Sequence, residues 1–155
     1  MMLDSFDRKL LEAVQRDNQQ NADALGNVVG LSPSACLRRL KRLREGGVIE
    51  SEVAIVAPEA LGRALMMVVE VTLEREQPHL MDEFKRSMRS TPEVMLCLYV
   101  TGETDFMLIV TARSMQDYEE FTRRFFFDNP NVRRFQTMVV MDRVKFGLAV
   151  PIDHD

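Results

Sequence analysis

Apolar residues near the start of the chain recur at intervals of three and four, the spacing of one face of an α-helix. Asp4 and Asn21 each precede such a stretch with a side chain that can accept hydrogen bonds from free backbone N–H groups, so we expect helices to begin there. The first helix is expected to end near Asp17 and the second at Gly30. The positions predicted to face inward are Phe6, Leu10, Leu11, Val14, Ala24, Leu25, Val28 and Val29.

A third helix is predicted in the stretch LSPSACLRRLKRLREGG, residues 31–47. Ser32 can cap its N-terminus, Pro33 suits the first helical position, and Gly46 and Gly47 provide a stop. The inward stripe is predicted to contain Cys36, Leu37, Leu40, Leu43 and the aliphatic part of Arg44. Three helices with a glycine turn before the last one predict a helix-turn-helix unit.

The outward side of the third helix is basic, with small residues at its leading end. A helix that enters the DNA major groove needs this combination, because bulky N-terminal residues would block its approach to the base edges. The alternative is a basic face that is merely solvated. The candidate DNA-binding residues are Ser34, Arg38 and Arg42, facing bases or phosphates, and Ser32, Arg39 and Lys41, mainly positioning the helix on the backbone.

Beyond residue 47 the pattern changes to apolar alternation. VIESEVAIV is predicted to form a strand or wing, and Pro58 and Gly62 mark a hinge. Further strands are predicted in LMMVVEVTL, VMLCLYVTG, TDFMLIVTA and VRRFQTMVVMDRVK, and helices in PHLMDEFKRSM and SMQDYEEFTRRFFFD. The inward helical positions are Leu80, Met81, Phe84, Met88, Met115, Tyr118, Phe121, Phe125 and, at the end of the second helix, Phe126. The order βαββαβ predicts an α+β chain whose second part is ferredoxin-like, with two helices on one face of a four-stranded antiparallel sheet.

The predicted strands are apolar on both faces. In the first, residues 65, 67, 69, 71 and 73 form one face, yet Met66 and Val68 lie on the other; in the second, residues 94, 96, 98 and 100 alternate with Met95, Cys97 and Tyr99. Only one face has helices to cover it, and leaving three or four such side chains in water would forfeit roughly 1.5–3 kcal/mol each. We therefore predict a two-fold dimer formed through the second face. The alternative is that the wing or the tail covers it.

Composition narrows the function classes further. With 46% hydrophobic residues the chain can form a packed core, and its net charge of -4 restricts nucleic-acid binding to a local basic patch. Cys36 and Cys97 lack metal-ligand spacing, and no Ser/His/Asp set or phosphate loop occurs, so we expect no metal, no cofactor and no enzyme. The acidic N-terminus does not resemble a signal peptide and the longest apolar run is too short for a bilayer, so we expect a cytoplasmic protein without a membrane partner.

A second candidate site is the turn V-T-G-E-T-D, residues 100–105. Gly102 allows close backbone approach, Asp105 offers a carboxylate that can pair with an ammonium group, and backbone N–H groups can receive a carboxylate. Together these groups suit a free α-amino acid. The alternative is an ordinary turn.

Several of these motifs resemble one family. LDSFDRKLLEAVQRD and VVGLSPSACLRRLKRLREGGVIE look like the DNA-binding head of the Lrp/AsnC family, the leucine-responsive and asparagine-responsive bacterial regulators, and TGETD and TMVVMDRVK resemble its effector-binding and closing-strand motifs. In that family the ligand lies between neighbouring dimers at this turn. The resemblance implies effector-binding roles for Thr101, Gly102, Glu103, Thr104 and Asp105, and for Met115, Thr137, Met138 and Val140 in neighbouring segments.

The leading hypothesis is therefore a sequence-specific transcriptional regulator that binds double-stranded DNA and an amino-acid effector, as a homodimer that assembles further, to an octamer by resemblance. Alternatives are an architectural DNA-binding protein, an amino-acid-binding module whose head contacts proteins, and, more remotely, an enzyme. The expected divisions are a helix-turn-helix unit over residues 1–50, a wing strand and hinge over 51–63, a ferredoxin-like sensing and oligomerisation domain over 64–147 and a C-terminal tail over 148–155.

Overall fold

A computed structural model describes residues 2–153 of the chain. The described residues divide into two compact units: residues 2–55 together with residues 145–153, and residues 56–144. The described part of the predicted tail, residues 148–153, belongs to the first unit, and its last two residues lie outside the described part.

Three helices form the first unit: α1 (Ser5–Arg16), α2 (Ala22–Val29) and α3 (Pro33–Glu45). The predicted caps are confirmed, because the side chains of Asp4, Asn21 and Ser32 accept hydrogen bonds from backbone N–H groups of the first turn of each helix. The helices pack around one buried cluster, which consists of Leu10, Ala13, Leu25, Val29, Cys36, Leu40 and Leu43. This cluster fixes the orientation of α3 and leaves its basic side outward.

Two predicted inward positions of this unit are wrong. Val28 is 62% exposed and Leu37 is 53% exposed. Each helix in so small a unit buries a narrow stripe, and Leu37 lies on the flank of the stripe that Cys36, Leu40 and Leu43 form along α3. Exposure of Leu37 places an apolar side chain on the solvent side of α3.

The turn between α2 and α3 depends on two glycines. Gly30 has φ +81°, a conformation that glycine adopts at little cost. Gly26 lies against the incoming chain, since a Cβ on it would stand 2.6 Å from the carbonyl oxygen of Leu31. The turn can approach α2 this closely only because Gly26 has no side chain.

The wing strand predicted after Gly47 is wrong: within residues 2–153 no strand forms between Val48 and Ala57. In this segment Glu52 forms an ion pair with Arg44, with Nε–Oε2 and Nη2–Oε1 distances of 2.8 Å. Residues 145–153 lie against α1 instead, where the Gln15 amide donates to the Val150 carbonyl oxygen (3.0 Å) and accepts from the Val150 N–H (2.7 Å). The first unit is therefore built from both ends of the chain.

The second unit has the predicted βαββαβ order: β1 (Leu65–Leu73), α4 (Pro78–Arg89), β2 (Val94–Tyr99), β3 (Phe106–Ala112), α5 (Met115–Thr122) and β4 (Val132–Val139), after a short 3₁₀ turn over Pro58–Leu61. The strands form one antiparallel sheet in the order β2-β3-β1-β4, which is the ferredoxin-like arrangement. α4 and α5 cover one face through a core that includes Val69, Val71, Phe84, Phe106, Leu108 and Phe121.

The end of the second predicted helix differs from the expectation. α5 changes into a single π-helical turn over Arg123–Phe127, and this wider turn directs Phe126 into the core while Phe127 is 70% exposed. Met115 is also exposed (54%) rather than inward.

The other face of the sheet carries no helix, and we call it the open face. Its residues, by strand register, are Leu96, Leu98, Met107, Ile109, Thr111, Met66, Val68, Glu70, Thr72, Arg134, Gln136, Met138 and Val140. The alternation predicted for β2 is wrong in one respect, because a bulge at Met95 places Val94 on the same face as Cys97 and Tyr99. Within residues 2–153, no helix is both long and apolar enough to cross a membrane.

Candidate nucleic-acid interface and ligand site

The N-terminus of α3 presents small side chains to solvent. Ser32 and Ser34 are exposed, their hydroxyl oxygens are 3.3 Å apart, and the Ser32 hydroxyl accepts from the Ala35 N–H at 3.3 Å. Pro33 occupies the first helical turn and needs no hydrogen-bond acceptor. The leading end of α3 is therefore open enough to approach a base edge or a phosphate.

The five basic side chains of α3 differ in whether they have an ion-pair partner. Arg38 is exposed and has no hydrogen-bond or ion-pair partner in the part of the chain that the structure describes. Lys41 lies 3.7 Å from Glu45, one helical turn away, and both side chains are well exposed, so this pair is weak. Arg38 and Lys41 are thus available to an anionic partner, whereas Arg44 pairs with Glu52.

Arg39 and Arg42 are held by α1. Arg39 Nη1 donates to Asp4 Oδ2 (2.7 Å) and to Asp7 Oδ1 (2.9 Å), and Arg42 Nη2 donates to Asp7 Oδ2 (2.5 Å). We call these residues, Asp4, Asp7, Arg39 and Arg42, the arginine–aspartate cluster. Asp7 is only 1% exposed, so the cluster joins a buried carboxylate of α1 to two guanidinium groups of α3.

Electrostatics at the edge of the cluster follow from these contacts. The Asp7 N–H and the Arg39 guanidinium lower the pKa of Asp4, and the Asp4 and Asp7 carboxylates raise the pKa of Arg39. Arg44 likewise lowers the pKa of Glu52. Both acids are therefore ionised at neutral pH and paired with cations of α3.

In the second candidate site, the turn after β2, the carboxylate is part of the fold. Asp105 is 9% exposed, its Oδ2 accepts from the buried N–H of Leu73 at 2.7 Å, and its own N–H donates to the Val71 carbonyl oxygen at 3.0 Å. The Thr104 hydroxyl donates to the same Val71 oxygen at 2.9 Å. These bonds fix the turn against β1.

The other residues of this turn face solvent. Thr101, Gly102 and Glu103 are exposed, and Gly102 has φ +127°. A side chain at Gly102 would be strained in this conformation, although a Cβ there would meet nothing within 4 Å. Within residues 2–153 no backbone hydrogen bond involves Thr101, Gly102 or Glu103, so their backbone groups are available to a ligand.

Val140, one of the remaining candidate effector residues, does not join this turn within one chain. The turn lies beside Val71, whereas the Val140 N–H donates to the Met66 carbonyl oxygen (2.9 Å) at the other end of β1. Five residues of extended strand separate the two ends by about 17 Å. A ligand-sized site that uses both groups thus requires two chains.

Strand register separates these remaining residues further. Met138 and Val140 lie on the open face, but Thr137 lies on the helix-covered face, where its hydroxyl hydrogen-bonds the Tyr118 hydroxyl. Burial raises the pKa of Tyr118, against the opposing effect of that hydrogen bond. Met115, at the start of α5, lies past the end of β3 and near the same sheet end as Val140.

Sequence reasoning missed the acidic half of the arginine–aspartate cluster. A D-x-x-D spacing at the start of α1 and an R-x-x-R spacing in α3 were the available signals. Among the described side chains, no group of three or more His, Cys, Asp or Glu residues could hold a metal ion.

Comparison with known proteins gives two family matches that together span most of the chain. The family described as "AsnC-type helix-turn-helix domain" matches residues 3–44, and the "Lrp/AsnC ligand binding domain" matches residues 66–150. The matches fall on the three-helix unit and on the sheet unit with part of the C-terminal segment.

Individual relatives point to the same family as these two matches. An uncharacterized HTH-type transcriptional regulator of Sinorhizobium fredii is 58% identical over 153 residues, covering 99% of this chain and 90% of that protein. The leucine-responsive regulatory protein of Escherichia coli K12 is 33% identical over 143 residues, covering 92% and 87%. A solved structure of a Neisseria meningitidis transcriptional regulator in complex with L-Met superposes with a TM-score of 0.90 at 31% identity, covering 97% of each chain.

Proposed function

The chain belongs to the Lrp/AsnC family of transcriptional regulators, and from that membership we propose that it binds specific DNA sites through α3 and an amino acid at a site shared between two chains. Its relatives are transcriptional regulators, in agreement with the prediction that it is not an enzyme.

The DNA half of the proposal depends on the state of Arg38. This residue is exposed, has no partner within residues 2–153 and lies about one helical turn beyond Ser34 on the outward side of a capped helix. A guanidinium so placed can make two hydrogen bonds to the O6 and N7 atoms of a guanine. Ser32, Ser34 and Lys41 then contact the phosphate backbone and set the register of α3.

The effector half is supported by the separation of the two candidate groups on the sheet. Thr101–Asp105 and the Met115–Val140 end lie too far apart in one chain to hold one small ligand, so the complete site is formed by neighbouring chains. The Neisseria relative was crystallised with L-Met, which makes an amino acid the effector class to test first. Binding between chains gives the ligand a way to favour one assembly over another.

Assembly begins at the open face of the sheet. The open face carries an apolar strip across all strands but the last, formed by Val68, Ile109, Leu96 and Leu98, and Glu70 is half-buried beside it. A second copy of the same face covers this strip with two-fold symmetry. We propose a homodimer that assembles further, to an octamer, and that functions in the cytoplasm without a membrane partner.

A thermal-shift screen of the twenty amino acids, followed by the light-scattering mass of the protein with each hit, tests the effector half. We expect a stabilising amino acid, with L-Met as the first candidate, and a change in mass. If no amino acid raises the melting temperature while a selected DNA duplex still does, the architectural DNA-binding alternative is correct.

A further inference from the structure

We propose that Asp7 is a specificity-determining residue: its buried carboxylate neutralises Arg39 and Arg42 and so suppresses sequence-independent attachment of α3 to DNA. This inference depends on the proposed DNA-binding function. It assigns a role to a residue that lies on α1 rather than on the recognition helix.

Contacts within α1 hold the Asp7 side chain in place independently of the arginines. Its N–H donates to Asp4 Oδ1 (2.8 Å), and the Asp4 N–H donates to Asp7 Oδ2 (3.2 Å), which is a reciprocal cap of α1. The positive end of the α1 dipole also favours a carboxylate here. Asp7 is thus held with both of its carboxylate oxygens in contact with arginines of α3.

Charge within the cluster balances. Asp4 and Asp7 supply two negative charges, and Arg39 and Arg42 supply two positive charges. The Arg39 side chain is 23% exposed, so little of its guanidinium can reach a phosphate. The Arg42 side chain is 47% exposed, but its guanidinium is already paired with Asp7. The basic side of α3 therefore offers DNA far fewer free charges than its sequence shows.

Stability alone is a weak reason for such a cluster. Burying the Asp7 carboxylate costs solvation free energy that its attraction to the two partly exposed guanidinium groups roughly offsets, so such a cluster adds little stability compared with apolar side chains of similar size. Free arginines, by contrast, bind phosphates of any sequence, and each phosphate contact steepens the salt dependence by about 0.9 in log affinity against log salt. Neutralising two arginines lowers non-specific binding and leaves discrimination to Arg38.

Asp7→Asn tests the inference, because the amide keeps the shape and one acceptor but removes the charge. The probes are a duplex selected by the wild-type protein from a random pool and a shuffled duplex of equal composition, both followed by fluorescence anisotropy from about 50 to 200 mM salt. We expect Asp7→Asn to bind the shuffled duplex about tenfold more tightly, with a slope steeper by about one or two phosphate contacts, and to discriminate less.

The matched control is Asp82→Asn, an exposed residue of α4. It changes the net charge by the same amount without releasing an arginine of α3, so both affinities should stay as in the wild type. A compensating variant, Asp7→Asn with Arg39→Gln, restores the charge balance of the cluster, and we expect shuffled-duplex affinity to return toward the wild-type value. A purely structural role for Asp7 predicts instead that the double variant binds the shuffled duplex more weakly than the wild-type protein.

The outcomes are distinguishable. If the wild-type protein does not prefer the selected duplex, the proposed function fails and the inference fails with it. If it does prefer it, but Asp7→Asn binds the shuffled duplex equally or more weakly, the inference alone is overturned. Should Asp7→Asn melt below the assay temperature, Asp4→Asn takes its place, since it releases one contact of Arg39, and an unchanged shuffled-duplex affinity then overturns the inference.

Discussion

We propose two roles for Asp105, one structural and one in effector binding, that substitutions can separate. Its Oδ2 accepts from the Leu73 N–H at 2.7 Å, and both residues are nearly buried, so Asp105→Ala leaves that N–H without an acceptor. A hydrogen bond to a charged group contributes about 1.5–3 kcal/mol, and a buried N–H without a partner costs about 1–3 kcal/mol. We expect Asp105→Ala to lower the free energy of unfolding by about 2–3 kcal/mol, measured by urea denaturation with an unchanged slope.

Asp105→Asn provides the matched comparison. The amide oxygen can still accept from Leu73, so most of the stability should return, while the charge proposed to pair with an amino-acid ammonium is absent. Calorimetry with the amino acid identified by the thermal-shift screen should then show at least a tenfold weaker affinity at near-wild-type stability. Full ligand affinity in Asp105→Asn would refute the ammonium-pairing role, and wild-type stability in Asp105→Ala would refute the structural one.

Three further predictions follow from the two units. Arg38→Ala should weaken binding to the selected duplex by about 1–3 kcal/mol per base contact in an anisotropy titration, and an unchanged affinity would remove Arg38 from base recognition. Val68→Asp places a charge in the middle of the open face, so light scattering should show monomers, and an intact dimer would mean that this face is not the interface. The Asp4 pair with Arg39 should stabilise the first unit above the ordinary carboxyl pKa of 3.8 and be lost as pH falls through the lower pKa of the folded state. In Asp4→Asn the melting temperature should therefore fall less steeply as the pH is lowered below 3.8. The same dependence of melting temperature on pH as in the wild type would show that the pair does not contribute to stability.

Local signals in the sequence predicted much of the fold. Ala22–Val29 and Leu65–Leu73 have the expected bounds, because a capping side chain defines the start of the first and a nearly continuous apolar run defines the second. The wing strand did not form, since a strand requires a hydrogen-bonding partner that the sequence does not specify. The bulge at Met95 and the π turn over Arg123–Phe127 each insert one residue into a regular repeat, so periodicity cannot reveal them.

The positions of the candidate sites could be predicted from the sequence, but the hydrogen-bond and ion-pair partners of their side chains could not. The basic side of α3 could be read from residue spacing, yet only the structure shows that Arg39 and Arg42 are paired with Asp7 while Arg38 is not. An aspartate three residues after a capping position resembles an ordinary surface acid, and its burial depends on contacts across about thirty residues of sequence. Likewise, the hydrogen bond from Leu73 to Asp105 joins segments 32 residues apart.

Competition between the selected duplex and a shuffled duplex for the wild-type protein, at about 150 mM salt, tests the central claim most directly. A regulator that reads bases through α3 should prefer the selected duplex by at least about a thousandfold. Equal affinity for both duplexes, or binding to neither, would contradict the claim that α3 recognises specific DNA.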